Sequence, residues 1–170
     1  MELADERGLG AVTMQGVAGR IGVTPMALYR LVASKADLLD GLVELLLTEL
    51  PVPADDLPQD DQLAAMADGL RQVARRHPAV TPLLLQRPAT TPGSKQVRQV
   101  IYGRLAAAGV DVDKVARVER LVSTAILGFL ASEAGGRLSH HPRRVLDEDF
   151  LMLQQMLGAF IASQSTDERR

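Results

Sequence analysis

Apolar positions along the chain recur at spacings of three and four, and nothing in the pattern asks for a strand, so the sequence reads as a succession of helices. The first fifty residues form short apolar groups followed by a longer one. Ser34 is placed to cap a helix with Asp37 in its first turn, and Leu38, Leu39, Leu42, Val43, Leu45, Leu46 and Leu50 follow a helical period. Its apolar arc is wide enough to contact two bodies. The connector "PVPADDLPQDD" follows, with three prolines and four aspartates, and it marks a boundary between a unit over 1–50 and a larger one over 51–170.

Beyond the boundary, Leu63, Met66, Ala67, Leu70, Val73 and Ala74 predict a helix over 62–77. Arg71, Arg75 and Arg76 load its last turns in the sense the helix dipole favours. Residues 80–86 form a short apolar segment, and "RPATTPGS" reads as a loop before a helix over about 95–108 that ends at Gly109. Two long helices are predicted over 113–134, closed by Gly135-Gly136, and over 147–163, after the polar loop "RLSHHPRR". The terminal "STDERR" is expected to fray.

Composition agrees with an all-α fold. Aromatics make up 3%, and Leu, Ala and Met, good helix formers, dominate the apolar residues. The absence of cysteine excludes a disulfide scaffold or a thiolate metal site, and makes a reducing cytoplasm the default location. The longest apolar runs fall short of the roughly 20 residues that span a bilayer, so no membrane role is expected. The net charge of −2 does not advertise a polyanion partner, so any contact with nucleic acid needs a local patch.

That patch is sought in "GVAGRIGVTPMALYRLVASK", residues 16–35, where one short helix breaks and another starts at once. Two helices meeting across a tight turn, the helix-turn-helix arrangement, need a small residue at the crossing and a left-handed residue at the turn, and Ala18 and Gly22 stand there. Val17, Ile21, Val23, Leu28 and Leu31 are the expected shared core. Thr24 offers an N-cap hydroxyl and Pro25 suits the first helical position. Met26, Ala27, Tyr29 and Arg30 are then left facing outward on a helix fit for a major groove, with Thr13 and Lys35 placed to hold phosphates on either side. A corner of the same shape also occurs in ordinary helical bundles.

The stretch "TMQGVAGRIGVTPMALYRLVASKADLLDGLVE" resembles the DNA-binding domain of TetR-family transcriptional regulators, with specific similarity over about residues 8–45. The resemblance implies groove-facing roles for Thr24, Pro25, Met26, Ala27 and Arg30, and phosphate contacts from Tyr29, Thr13 and Lys35. It also implies a C-terminal ligand-binding and dimerisation domain linked through the helix after Ser34.

The sequence departs from the family pattern in three ways. Leu31-Val32 stands where the family often has His and an aromatic residue or Val. Gly16 and Gly19 lie inside the first helix of the pair, each disfavoured by about 1 kcal/mol relative to Ala. Only seven residues precede Gly8, and over residues 1–50 the bases Arg7, Arg20, Arg30 and Lys35 face the acids Glu2, Asp5, Glu6, Asp37, Asp40, Glu44 and Glu49. Such a reader of DNA relies on few phosphate contacts, or the chain is shortened at its N-terminus.

In the larger unit, Leu121, Val122, Ala125, Ile126, Phe129 and Leu130 occupy more than one face of their helix, as do Phe150, Leu153, Met156, Leu157, Phe160 and Ile161 in the last. Such helices are either central to the chain's own core or covered by a second copy. A homodimer interface of four helices is expected, using Leu121, Val122, Ala125, Phe129, Leu153, Met156, Leu157 and Phe160. A two-fold dimer would present two recognition helices to operator DNA. Met66, Leu70, Leu84, Leu105 and Leu127 are candidates to line a pocket for a small apolar or amphipathic ligand, with Gln86 and Tyr102 as polar handles; ordinary core packing serves them equally well.

No cofactor or metal is implied and no enzyme is expected: His77 reads as completing a helix terminus, and His140-His141 as solvated loop. The resulting expectation is a ligand-released repressor. The competing one is a helical ligand-binding dimer that keeps this fold without binding DNA.

Overall fold

The computed structural model describes residues 1–51, 53 and 57–165, leaving residues 52 and 54–56 of the predicted acidic connector and the last five residues of the predicted tail outside the described residues. In chain order the helices among the described residues are α1 (Glu2–Arg7), α2 (Met14–Ile21), α3 (Pro25–Tyr29), α4 (Lys35–Thr48), α5 (Gln59–Arg76), α6 (Leu83–Gln86), α7 (Pro92–Ala107), α8 (Val112–Ala134) and α9 (Arg143–Ala162), with a 3-10 turn at Leu9–Ala11. Among the described residues no strand forms, only an isolated bridge between Val110 and Ser165. The fold is all-α, as the periodicity requires. No helix among these residues is long and apolar enough to cross a membrane.

Three helices begin three or four residues earlier than their patterns predict, α5 at Gln59 directly after Pro58 among them. α7 starts at Pro92 because Thr91 accepts the Ser94 amide at 3.3 Å, which repeats the Thr-Pro start of α3. α9 starts at Arg143 directly after Pro142, and Arg144 joins its first turn through an ion pair to Glu148 at 2.8 Å.

α1, α2 and α3 form a small head, and α5 to α9 form the body. α4 belongs to both: Leu42, Val43 and Leu46 are buried with Ala4 and Val12 on one side and Val73, Val80 and Leu83 on the other. Its wide apolar arc is thereby accounted for. The body has two further apolar clusters, one around Leu105, Val110, Val115, Val118 and Ile161, the other around Ala74, Ile126, Leu130 and Phe150.

Several residues expected at a dimer interface lie in these intrachain clusters. Phe129, Leu153 and Leu157 pack against Phe150 and its neighbours, with the Phe129 and Phe150 rings 5.3 Å apart, while Val122 and Phe160 pack around Leu105. Their apolar character already has an intrachain cause. Leu121 and Met156 are exposed and Ala125 is half-buried; Leu151 and Met152, which the sequence reading missed, extend the exposed apolar face of α9.

Arg71 and Arg75 do more than complement a helix terminus. Arg71 donates to Glu133 at 3.0 Å and to the Leu146 carbonyl at 2.8 Å, while its guanidinium lies over the Phe150 ring at 4.5 Å. Arg75 joins Glu133 at 2.7 Å to Asp147 at 2.6 Å. α5, α8 and α9 are thus fastened by one charge network. Arg76 instead pairs with Glu49 at the end of α4, at 3.0 Å.

Candidate nucleic-acid interface and ligand cavity

The head is built around a turn that only a few residue types allow. The Thr13 hydroxyl accepts the Gly16 amide at 2.9 Å and starts α2. At Gly16 an added Cβ would collide with the Ala11 carbonyl oxygen, so this glycine, weak by helix propensity, is required by the close approach of the preceding turn. α2 ends at Gly22 in the left-handed region (φ 73°), and the Val23 amide returns to the Ala18 carbonyl at 3.0 Å. Thr24 then accepts the Ala27 amide at 3.2 Å, with Pro25 in the first turn of α3.

The head's core is Met14, Ala18 and Leu28, with Val17, Val32 and Leu38 packed on it. The expected inward positions Ile21, Val23 and Leu31 are instead 56%, 41% and 84% exposed. Ile21 continues the stripe of Met14, Val17 and Ala18, but it falls in the last position of α2, and Val23 already lies past the turn. α3 stops after Tyr29, and the Leu31 and Val32 amides both bond the Leu28 carbonyl, a tightening that tucks Val32 under the head and turns Leu31 out.

The outward face of α3 carries Met26 at 71% exposure and Tyr29 at 52%, beside exposed Thr24, Pro25 and Arg30 and half-buried Ala27. Lys35 opens α4 from an exposed position, and half-buried Thr13 keeps its hydroxyl proton available while its oxygen caps α2. The Ser34 hydroxyl accepts the Asp37 amide at 3.2 Å, and the Asp37 carboxylate accepts the Ala33 amide at 3.1 Å. That reciprocal cap fixes Lys35 relative to α3. Arg20 turns away from this face, bridging Glu6 at 2.7 Å and Glu2 at 3.0 Å and tying α1 to α2.

A cavity of about 170 Å³ lies in the body beneath α4, walled by α5, α6, α7 and α8. Met66, Leu70, Leu84 and Leu127 line it, as the sequence reading expects. Gln86, Tyr102 and Leu105 do not: Gln86 is exposed, and Tyr102 and Leu105 belong to the cluster under α7 and α8. The polar groups on its wall are Arg87, Ser94, Arg98, Glu119 and Ser123. Sequence alone gave no sign of them, because which face of α7 or α8 meets α4 is decided by packing. A wider hollow of about 590 Å³ lies between α5, α8 and α9, bordered by exposed Gln155, Gly158, Ala159 and Ala162. It opens onto the exposed face of α9, whereas the cavity under α4 is lined mainly by buried and half-buried residues, which makes it the candidate ligand site.

Two polar contacts tie α4 to the rim of that cavity. Arg87 donates to Asp40 at 2.7 Å and to the Ala36 carbonyl at 3.2 Å. The guanidinium bond holds the Asp40 carboxyl below its ordinary value, against a smaller opposing effect of burial. Glu44 accepts the Gly93 amide at 3.0 Å with both oxygens, at the start of α7. His77, at the end of α5, lies between Asp5 of α1 at 2.8 Å and Glu49 at 3.0 Å, so it does terminate its helix and also joins head to body.

A capped two-helix head presented by a larger helical body defines the class of helix-turn-helix DNA-binding proteins. Comparison with known proteins narrows the class. The family described as bacterial regulatory proteins, tetR family, matches residues 1–42. The chain is 31% identical over 136 residues to an HTH-type transcriptional regulator of Saccharopolyspora erythraea, covering 79% of this chain and 57% of that protein. It is 25% identical over 166 residues to the HTH-type transcriptional repressor DrrR1 of Streptomyces coeruleorubidus, covering 96% and 62%. The chain thus spans less than two thirds of the length of these curated relatives. The crystal structure of the Streptomyces coelicolor TetR family protein ActR in complex with (S)-DNPA superposes with a TM-score of 0.83 at 19% identity, covering 97% of this chain and 94% of that one, and shares the fold. Residues 1–42 thus match the TetR family of bacterial regulatory proteins, and the chain shares its fold with a TetR family protein.

Proposed function

We propose that this chain is a DNA-binding transcriptional repressor that a small ligand releases from its operator. The observation that carries the reading is the outward face of α3, where a helix started by Thr24-Pro25 leaves Met26, Tyr29 and Arg30 free of the core. Arg30 and Lys35 are the charged contacts. Met26 and Ala27 suit the methyl-bearing base edges of a major groove, and Thr13 and Tyr29 reach phosphates. With so few cations, affinity depends heavily on apolar and hydrogen-bonded contacts and only modestly on salt.

The protein works as a homodimer, joined through the faces of α8 and α9 that carry Leu121, Leu151, Met152 and Met156, which sets two copies of α3 one helical turn of DNA apart. A ligand in the cavity displaces α4 by disturbing the Arg87–Asp40 and Glu44–Gly93 contacts on its rim. α4 carries the head, so the spacing of the recognition helices changes and operator affinity falls. The cavity is smaller than the roughly 300–1,000 Å³ typical of drug-sized ligands, so the ligand is compact or widens the site on entry.

The test is a gel-shift titration with the DNA upstream of the protein's own gene, comparing the native chain with Tyr29→Ala and Arg30→Ala. A specific shift weakened by both substitutions supports the reading. A folded dimer that binds this DNA no better than random sequence overturns it and leaves a ligand-binding dimer without DNA activity.

A further inference from the structure

The wall of the cavity under α4 carries a charge that nothing in the repressor reading uses. Glu119, on α8, is 8% exposed and lines this cavity. One of its oxygens accepts the Ser123 hydroxyl at 3.0 Å, and among the described residues no lysine, arginine or histidine pairs with it. The guanidiniums on the same wall do not answer it. Arg87 is taken by Asp40, and Arg98 donates to the Ala89 carbonyl at 2.9 Å from a half-buried position.

A carboxylate removed from water without a counter-ion is strongly disfavoured, far more so than a half-solvated guanidinium. Among the described residues the one side-chain polar atom both sealed in by protein and unpartnered is Gln62 Oε1. The second oxygen of Glu119 is therefore not sealed, and the cavity is the space it opens onto. Ser123 adds to the geometry: by donating its proton to Glu119 it turns its lone pairs toward an incoming donor.

We propose that Glu119 makes this cavity a site for a small amphipathic cation, a protonated amine whose charge meets the Glu119 carboxylate beside Ser123. The amine donates one N–H to Glu119 and a second to the Ser123 oxygen, and its apolar body lies against Met66, Val122, Ile126 and Leu127. An anion would bring a like charge against Glu119. A neutral alcohol makes the hydrogen bond without neutralising the carboxylate. The proposal rests on the reading of this cavity as the effector site, and it specifies the chemistry of the effector.

The experiment uses three probes of equal length, octylammonium, octan-1-ol and octanoate, with the full chain at neutral pH. Calorimetric titration and the shift of the thermal unfolding midpoint report binding, and the gel shift reports DNA release. Octylammonium is expected to bind at least about tenfold more tightly than octanol, with octanoate weakest, and Glu119→Gln, isosteric and still able to accept from Ser123, is expected to erase that preference. Equal binding of the three probes, no binding by any, or a preference that survives Glu119→Gln overturns the proposal. If Glu119→Gln fails to fold, the ranking of the three probes on the native chain decides alone. Glu119-dependent binding of octylammonium that leaves DNA affinity unchanged supports the site and overturns release by ligand. DNA release by octanol or octanoate equal to that by octylammonium does the reverse.

Discussion

In the head, α2 and α3 meet over three buried side chains, Met14, Ala18 and Leu28, and each helix start is fixed by a hydroxyl three residues away. In the body, Arg71 reaches Glu133 across a separation of 62 residues and Arg75 reaches Asp147 across 72, over a core that contains Phe150 and Leu130. The head is thus specified by short-range rules and little apolar area, the body by long-range charge pairing over a larger core. A small unit that leaves Ile21, Val23 and Leu31 uncovered gains little from burial, so caps and turn geometry count for more in it.

The largest effect that separates the two regions is expected from Arg71→Ala. It deprives Glu133 of its most buried partner and Phe129 and Phe150 of the guanidinium between them. Breaking a buried pair from one side destabilises by about 3 kcal/mol or more. Urea unfolding should show a lower midpoint at unchanged slope, with the loss borne by α5, α8 and α9. If the midpoint moves by less than the effect of an ordinary surface substitution, the network is not what fastens the body.

The same contrast explains what could be read from the sequence. Thr13, Gly22, Thr24-Pro25 and Ser34 announce their roles within three or four positions, so the head's helices and outward face were legible, as was the succession of helices in the body. The misreadings fell where a partner decides. Ile21 fits the inward stripe of α2 but has nothing above it, and Leu31 lost the inner position to Val32 because α3 stops one turn early. Phe129 and Leu157 pack beside Phe150, so their apolar character does not by itself call for a second copy. Glu119 and Arg87 were invisible as cavity residues, since no local pattern tells which side of a helix borders a hollow.

A second, smaller effect is expected from Ala18→Leu, at the closest approach of α2 and α3. Overpacking a fitted position typically destabilises by 1–3 kcal/mol, so about 2 kcal/mol is expected here. The change should be confined to the head. Amide hydrogen exchange should speed up in α2 and α3 and operator binding should fail, while α8 keeps its protection. Equal loss of protection in α8 would mean that head and body unfold as one unit through the cluster around Leu46.

The smallest effect is also the one that sets the two regions' ion pairs directly against each other. Burial pushes the Glu133 carboxyl up, but hydrogen bonds and charge from Arg71 and Arg75 outweigh it and hold the group below its ordinary value of 4.5. In the head, the hydrogen bond from Arg20 is the main cause that holds Glu6 below the same ordinary value. Both carboxyls are depressed in the folded state, so each adds stability that is complete above that ordinary value and lost as pH falls through its folded pKa. Acid alone therefore weakens both regions in the same direction. Salt distinguishes them, because the Arg20 pairs are solvent-exposed whereas Arg71 and Glu133 are largely covered, and screening over about 8 Å at 0.15 M acts mainly on the exposed pairs. At neutral pH, raising salt should speed amide exchange in α1 and α2 slightly and leave α8 and α9 unchanged. Glu6→Gln should reduce the salt response of the head to the part carried by the remaining Arg20–Glu2 pair. A salt response in α8 and α9 matching that of the head would mean that water reaches the Arg71–Glu133 pair as freely as it reaches Arg20.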